Sequence, residues 1–267
     1  MFSILDSGRS GLLEFFFELI SRIGNDYEFS FIIGSVEKAK YLMVTFAWFD
    51  TLCSLVSFPP RKVFSNKRLF SATDNEGNNI IETISGCPGK IFSRLVDISN
   101  LRYCSKNGKA ATKFEVDRIT KSLLNYRSYL TCAKDKSYLY KLKAANCWAL
   151  AGLTVIEKLK QFKDDDLKQE VITGYIFEFI DSYKDLELVE LKLQMAWPVF
   201  TLGLESRKMH QRVLFKEFLS FHYSMSKMAN VEVMNNILTQ SWETGASFEG
   251  IMKTKHWSGS GIALIPT

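Results

Sequence analysis

The stretch LELVELKLQMAWPVFTLGLES, residues 186–206, decides how the chain is read. Leu186, Val189, Leu193 and Ala196 recur at spacings of three and four, with Glu187, Glu190 and Gln194 on the opposite face. The first half therefore reads as an amphipathic helix with one wet side. Between Met195 and Leu204 there is no charge, and a second apolar stripe of Leu188, Leu191, Met195, Val199 and Leu202 joins the first. This predicts a central helix buried on all sides. Pro198 has no N–H to give the Gln194 carbonyl and its ring crowds that group, so the helix is expected to kink or restart where it enters the core. Gly203 would admit a second backbone at close range. Two readings of the stretch stand side by side: a buried helix with a proline kink, and a ligand or partner pocket opened by that kink. In the second, Gln194, Trp197, Pro198, Phe200, Gly203 and Leu204 form the site, the freed Gln194 carbonyl being one polar group among apolar walls of the kind a small-molecule pocket uses.

Upstream, residues 11–23 put Leu12, Phe15, Phe16, Leu19 and Ile20 on one helical face, with Gly24-Asn25 as the stop. Ser35 can cap a longer helix from Val36 to Ser57, ended by Phe58-Pro59-Pro60. Along it Met43, Phe46, Asp50 and Cys53 share a stripe, which sets a carboxylate on an apolar face. A buried carboxylate is costly unless paired. Asp50 is therefore expected in a structural ion pair, with Arg61 or a more distant Arg.

Residues 71–79, SATDNEGNN, read as an exposed loop, and Gly86-Cys87-Pro88-Gly89 as a tight turn into a helix over residues 90–103. A loop at 105–111 and helices at 114–132 and 138–162 follow, the latter with Trp148 at its middle. Asp164-Asp165-Asp166 opens a helix to Tyr183; adjacent carboxylates there suit the helix dipole better than a metal, because they lack converging ligands. Past the quoted stretch come helices at 207–225 and 231–242, a turn at 248–253 and an apolar tail at 262–265. About ten helical segments with almost no strand signal predict an all-α fold: a single multi-helix domain over residues 1–267 around a central kinked helix, with residues 1–34 as an N-terminal extension.

In 267 residues, 46% hydrophobic content with 24% charge is enough to build a real core. The formal charge of +5 is spread along the chain and marks no nucleic-acid groove. Cys53, Cys87, Cys104, Cys132 and Cys147 are an odd, dispersed set without a C-x-x-C pair, which suggests reduced intracellular thiols rather than disulfides or zinc. The longest charge-free runs fall short of the ~20 apolar residues of a membrane helix, and the first helix carries Glu14 and Glu18, unlike a signal peptide.

Motifs for catalysis are missing: there is no G-x-S-x-G, H-E-x-x-H or phosphate-binding P-loop. His210, His222 and His256 are scattered and read as surface or capping residues. Ser258-Gly259-Ser260-Gly261 precedes no helix that would present amides to a phosphate. Binding or regulation, rather than catalysis, is the expectation.

Several stretches together resemble the regulatory, fungal-specific transcription factor domain of fungal zinc-cluster transcription factors. Residues 49–60, FDTLCSLVSFPP, are similar to that family's helix ending in a proline stretch, and Gly86-Cys87-Pro88 leading into Ile91–Leu101 to its GCP-turn-helix. Residues 196–205, AWPVFTLGLE, resemble its W-P-hydrophobic-F…G-x-E signature, and Gln240–Glu243 with Met252 and Trp257 its closing W-E…M…W pattern. The resemblance spans residues 35–264 and implies an all-helical regulatory module of a transcription factor, placed in the nucleus or also in the cytoplasm and acting on RNA polymerase II transcription. It would work by sensing a small apolar ligand or metabolite, by autoinhibition, by homodimerisation or through co-regulators. The family's six-cysteine zinc cluster does not occur in these residues, so zinc and DNA contact are expected only through an N-terminal domain or partner outside this chain, the chain being a C-terminal fragment or a truncated member. The alternative within the same family is a helical scaffold or dimerisation protein, like its kinetochore member, with no ligand and no DNA binding of its own. Neither reading calls for a cofactor or a membrane.

Overall fold

A computed structural model gives the protein's structure and describes residues 37–128, 135–160 and 165–254. The expected first helix, the Ser35 cap, residues 1–34, Trp257 and the apolar tail lie outside these residues. Among the described residues the chain is all-α, in the order α1 (Glu37–Val56), α2 (Ile80–Ser85), α3 (Gly89–Lys106), α4 (Lys113–Ser128), α5 (Lys136–Leu159), α6 (Asp165–Lys184), α7 (Val189–Leu193), α8 (Ala196–Leu204), α9 (Met209–Ser226), α10 (Ala229–Thr244) and α11 (Phe248–Met252). One 3-10 turn, Lys67–Ser71, precedes α2. No strand occurs among the described residues; a single bridge, Thr73 to Asn79, closes the loop between the 3-10 turn and α2.

The quoted stretch takes the restart option. Gln194 and Met195 separate a five-residue α7 from α8, and Pro198 lies in the first turn of α8, where its missing N–H leaves no bond unmade. The Val199 amide already reaches the Met195 carbonyl at 2.9 Å. In α8 every residue from Ala196 to Phe200 is buried, as are Leu202 and Gly203, as the charge-free sequence predicts. The first half differs from its amphipathic reading: α7 has no buried residue, and Leu188 and Val189 are both 38% exposed. Leu186–Leu188 runs outside any helix after α6, which breaks the stripe's phase before α7 begins.

Alpha8 shares the centre with α5, which packs against α3, α4, α6, α7 and α8. Residues 144–154 of α5 are all buried, and four of them are alanines. Small side chains there let neighbouring helices approach from every side. Large aromatics fill the remaining space: Trp148 of α5 stacks on Trp197 of α8 at 5.7 Å, and Phe92 of α3 and Phe70 continue the row at 5.1 and 5.2 Å. A second row joins Phe179 of α6 to Phe215 of α9 at 5.8 Å.

The Gly86–Gly89 turn fixes how α2 hands over to α3. Gly86 ends α2 with φ 64°, a left-handed conformation suited to glycine. A Cβ on Gly89 would lie 1.8 Å from the Phe70 carbonyl oxygen, so no larger residue fits there. The helix α1 includes a segment, Ala39–Val56, with the length and apolarity of a membrane span. Two-thirds of it is buried inside the protein, 67% by position, and it carries the buried Asp50.

Candidate functional site

Asp50 is fully buried on α1 and is saturated with donors. Arg61 Nη1 reaches one carboxylate oxygen at 2.7 Å, and the amides of Phe64 and Ser65 donate to the other at 2.9 and 2.7 Å. Arg61 Nη2 also donates to the Asp50 carbonyl at 3.0 Å. The segment after Pro59-Pro60 is thereby folded back onto α1, a structural role with no opening to solvent at the carboxylate. Beside it, burial pushes the Cys53 thiol up to about 12, opposed by the neighbouring Arg61 charge. Burial likewise raises Cys87 and Cys147, so these thiols stay protonated and lack nucleophile character.

The six residues proposed from sequence around the Pro198 restart do not share one pocket. Trp197 and Pro198 are buried in the core, Trp197 against Trp148. Gly203 packs against Leu238 and Phe215, and its carbonyl accepts a hydrogen bond from Trp242 Nε1 at 3.0 Å. Gln194 borders a separate surface depression with Asn79, Glu82 and Lys141. Phe200 and Leu204 do come together, on the wall of a cleft of about 170 Å³ at the C-terminal end of α8.

That cleft is where five helices converge. Leu55 and Val56 close it from the end of α1, Val155 and Leu159 from α5, and Phe248 from α11, whose ring meets Phe200 edge-on at 5.9 Å. The polar rim is charged: Lys158 and Glu205 pair at 2.6 Å, while Arg102 Nη2 of α3 stands 4.0 Å from Glu249. Arg102 Nη1 donates to the Ser54 carbonyl at 3.3 Å and to that of Leu55, so it also caps the end of α1. Sequence reasoning missed Arg102, Lys158 and Glu249 because each comes from a different helix.

His222, read from sequence as surface or capping, is 2% exposed on α9 and shares a hydrogen bond of 3.2 Å with the Tyr183 hydroxyl. Burial lowers its pKa to about 4, so it is neutral at neutral pH. His210 is exposed beside Phe177, and His256 lies outside the described residues. Asp165 and Asp166 are exposed in the first turn of α6, and among the described residues no group of three or more His, Cys, Asp or Glu could hold a metal ion.

The described residues thus form an all-helical body with a small cleft, walled by apolar side chains and rimmed by charge, at the C-terminal end of α8. The chain matches the family described as fungal specific transcription factor domain over residues 8–257, and it belongs to that family. Comparison with curated proteins and with solved structures returned no match. Family membership assigns the chain a regulatory role in a fungal transcription factor. The stretches that resemble the family's signatures have physical roles here: Trp197 fills the core, Phe200 walls the cleft, Glu205 pairs with Lys158, and Trp242 ties α10 to Gly203.

Proposed function

We propose that this chain is the effector domain of a zinc-cluster-type transcription factor in the nucleus, and that it controls RNA polymerase II transcription by sensing a small, largely apolar ligand in the α8 cleft. DNA contact belongs in this reading to a separate zinc-bearing domain or partner, and co-regulators or homodimerisation carry the output. The observation behind it is the cleft itself: Phe200 and Leu204 open to it from a helix that is otherwise buried, within the stretch that resembles the family signature. A ligand there touches α1, α3, α5, α8 and α11 at once, so it favours whichever arrangement of those helices fits it.

The test joins the full chain to a heterologous DNA-binding domain on a fungal reporter. Leu204 is half-buried at the cleft wall, so Leu204→Trp fills the space with little cost to the fold. An altered reporter response at equal protein level is expected. A folded Leu204→Trp variant with an unchanged response rejects sensing at this cleft.

One observation favours the scaffold alternative. Phe177 of α6 is 43% exposed and lies 6.4 Å from the His210 ring of α9, where Met209 and Val213 are 74% and 44% exposed. Apolar exposure of this kind suits a self-association surface. A stable dimer by light scattering that Val213→Glu dissociates, in a chain whose melting no apolar ligand shifts, would favour the scaffold.

A further inference from the structure

We infer that the ligand of the α8 cleft is an amphipathic monocarboxylate, whose carboxylate binds Arg102 in place of Glu249 and whose hydrocarbon body lies against Phe200 and Leu204. The inference rests on the sensing reading above and adds the ligand's chemistry and the group it displaces.

The two cations at the cleft are unequally paired. Lys158 has its carboxylate, Glu205, at 2.6 Å. Arg102 is placed otherwise: its side chain is only 10% exposed, and its nearest carboxylate among the described residues, Glu249, stands at 4.0 Å, beyond hydrogen-bonding distance. It also donates to the Ser54 and Leu55 carbonyls, which neutralise no charge. Burial lowers the Arg102 pKa, with the Glu249 charge opposing it, in keeping with a buried guanidinium whose carboxylate stands off at 4.0 Å. A guanidinium presents a planar fork of donors that matches a carboxylate in two parallel hydrogen bonds. Nη1 is committed to α1, and Nη2 points toward Glu249 at the cleft.

Glu249 is the group that can leave. Its side chain is 43% exposed, and an ion pair at 4.0 Å with a partner this wet contributes little. The apolar walls set the size of the rest of the ligand. A cavity of about 150 Å³ takes benzene, so a cleft of 170 Å³, open at its rim, suits a body of about six to eight carbon atoms. Glu249 lies on α11 beside Phe248, which packs on Phe200. Occupancy of the cleft is therefore read directly by α11.

The test uses the full chain, with octanoate, octan-1-ol and octylammonium as probes below their micelle concentrations at neutral pH, followed by calorimetry and thermal melting. Octanoate is expected to bind saturably and raise the melting temperature, octan-1-ol to bind at least about tenfold more weakly, and octylammonium not at all. Glu249→Gln, which removes the competing charge at an exposed position, should tighten octanoate several-fold. Arg102→Gln should erase the preference for the acid over the alcohol; should that variant fail to fold, Glu249→Gln still decides the point. Equal binding of octan-1-ol and octanoate overturns the anion proposal and leaves sensing of an apolar ligand intact. Binding by none of the probes, or no tightening in Glu249→Gln, overturns it too, and the reporter response of Leu204→Trp then judges sensing independently.

Discussion

The chain breaks at Phe58-Pro59-Pro60 and again between Gln194 and Pro198, and the two breaks are held by different forces. At the first, a carboxylate with no exposure gathers three N–H donors, from Arg61, Phe64 and Ser65, and the loop is pinned by polar geometry. At the second, α8 restarts with no side-chain cap and is held by apolar packing, chiefly Trp197 on Trp148. A saturated buried ion pair has one good arrangement, because every alternative leaves a charge or an amide unpaired. Apolar packing is set by volume and tolerates rearrangement when volume is kept. The adaptable region is the one with a cleft at its end.

Truncation should affect both regions most. Asp50→Ala strands the Arg61 charge and two amides and should destabilise by about 3–5 kcal/mol; Trp197→Ala should cost about 3–5 kcal/mol through the cavity it leaves. Both are read by denaturant unfolding, and a loss below ~0.5 kcal/mol for Asp50→Ala, the level of surface substitutions, would show the polar region to be ornamental.

Conservative changes separate the two. Asp50→Asn keeps the shape but loses the charge that Arg61 needs, and should still cost about 2–3 kcal/mol. Trp197→Phe keeps an aromatic in place and should cost below about 1.5 kcal/mol. If the two substitutions cost the same, the contrast between polar and apolar breaks collapses.

His222 predicts a pH dependence that belongs to the α6–α9 packing and to neither break. Its folded pKa of about 4 lies below the ordinary 6.5, so between these values the unfolded chain binds the proton and the folded chain does not. Its stabilising effect is thus complete above pH 6.5 and is lost as pH falls to about 4, in total about 3 kcal/mol. His222→Gln keeps a partner for Tyr183 but cannot titrate there, and should flatten the stability profile across that window. An unchanged slope would place the acid sensitivity elsewhere. The smallest effect is expected at the cleft wall: Leu204→Ala, at a half-buried side chain, should cost about 1 kcal/mol while altering ligand-dependent melting more than any change at Asp50.

Much of this was legible in the order of residues. The spans of α1, α6, α9 and α10 follow apolar periodicity and its punctuation, and the end of α1 is marked by Phe58-Pro59-Pro60. Pro198 announced the restart before α8, and a carboxylate on the apolar stripe of α1 required a partner, which Arg61 supplies only eleven residues away. Alpha2 escaped because six residues are too few for periodicity to register, although Asn79 followed by Glu82 was a usable cap signal: the Asn79 side chain accepts from the Glu82 amide at 3.2 Å.

What periodicity carries is local: each residue's face on its own helix, and the points where proline or glycine forces a break. The all-α class, the spans of α1, α6, α9 and α10 and the need to neutralise Asp50 follow from that alone. The cleft does not, because Arg102 meets Leu55 across 47 positions and Lys158 meets Glu205 across another 47. Nor does the burial of His222, which depends on α6 lying beside α9 and bringing Tyr183 to it across 39 positions. Those pairings are set by which helices pack together, and that choice is made by the volume and shape of the whole core, with α5 at its centre, rather than by any one stretch of the chain.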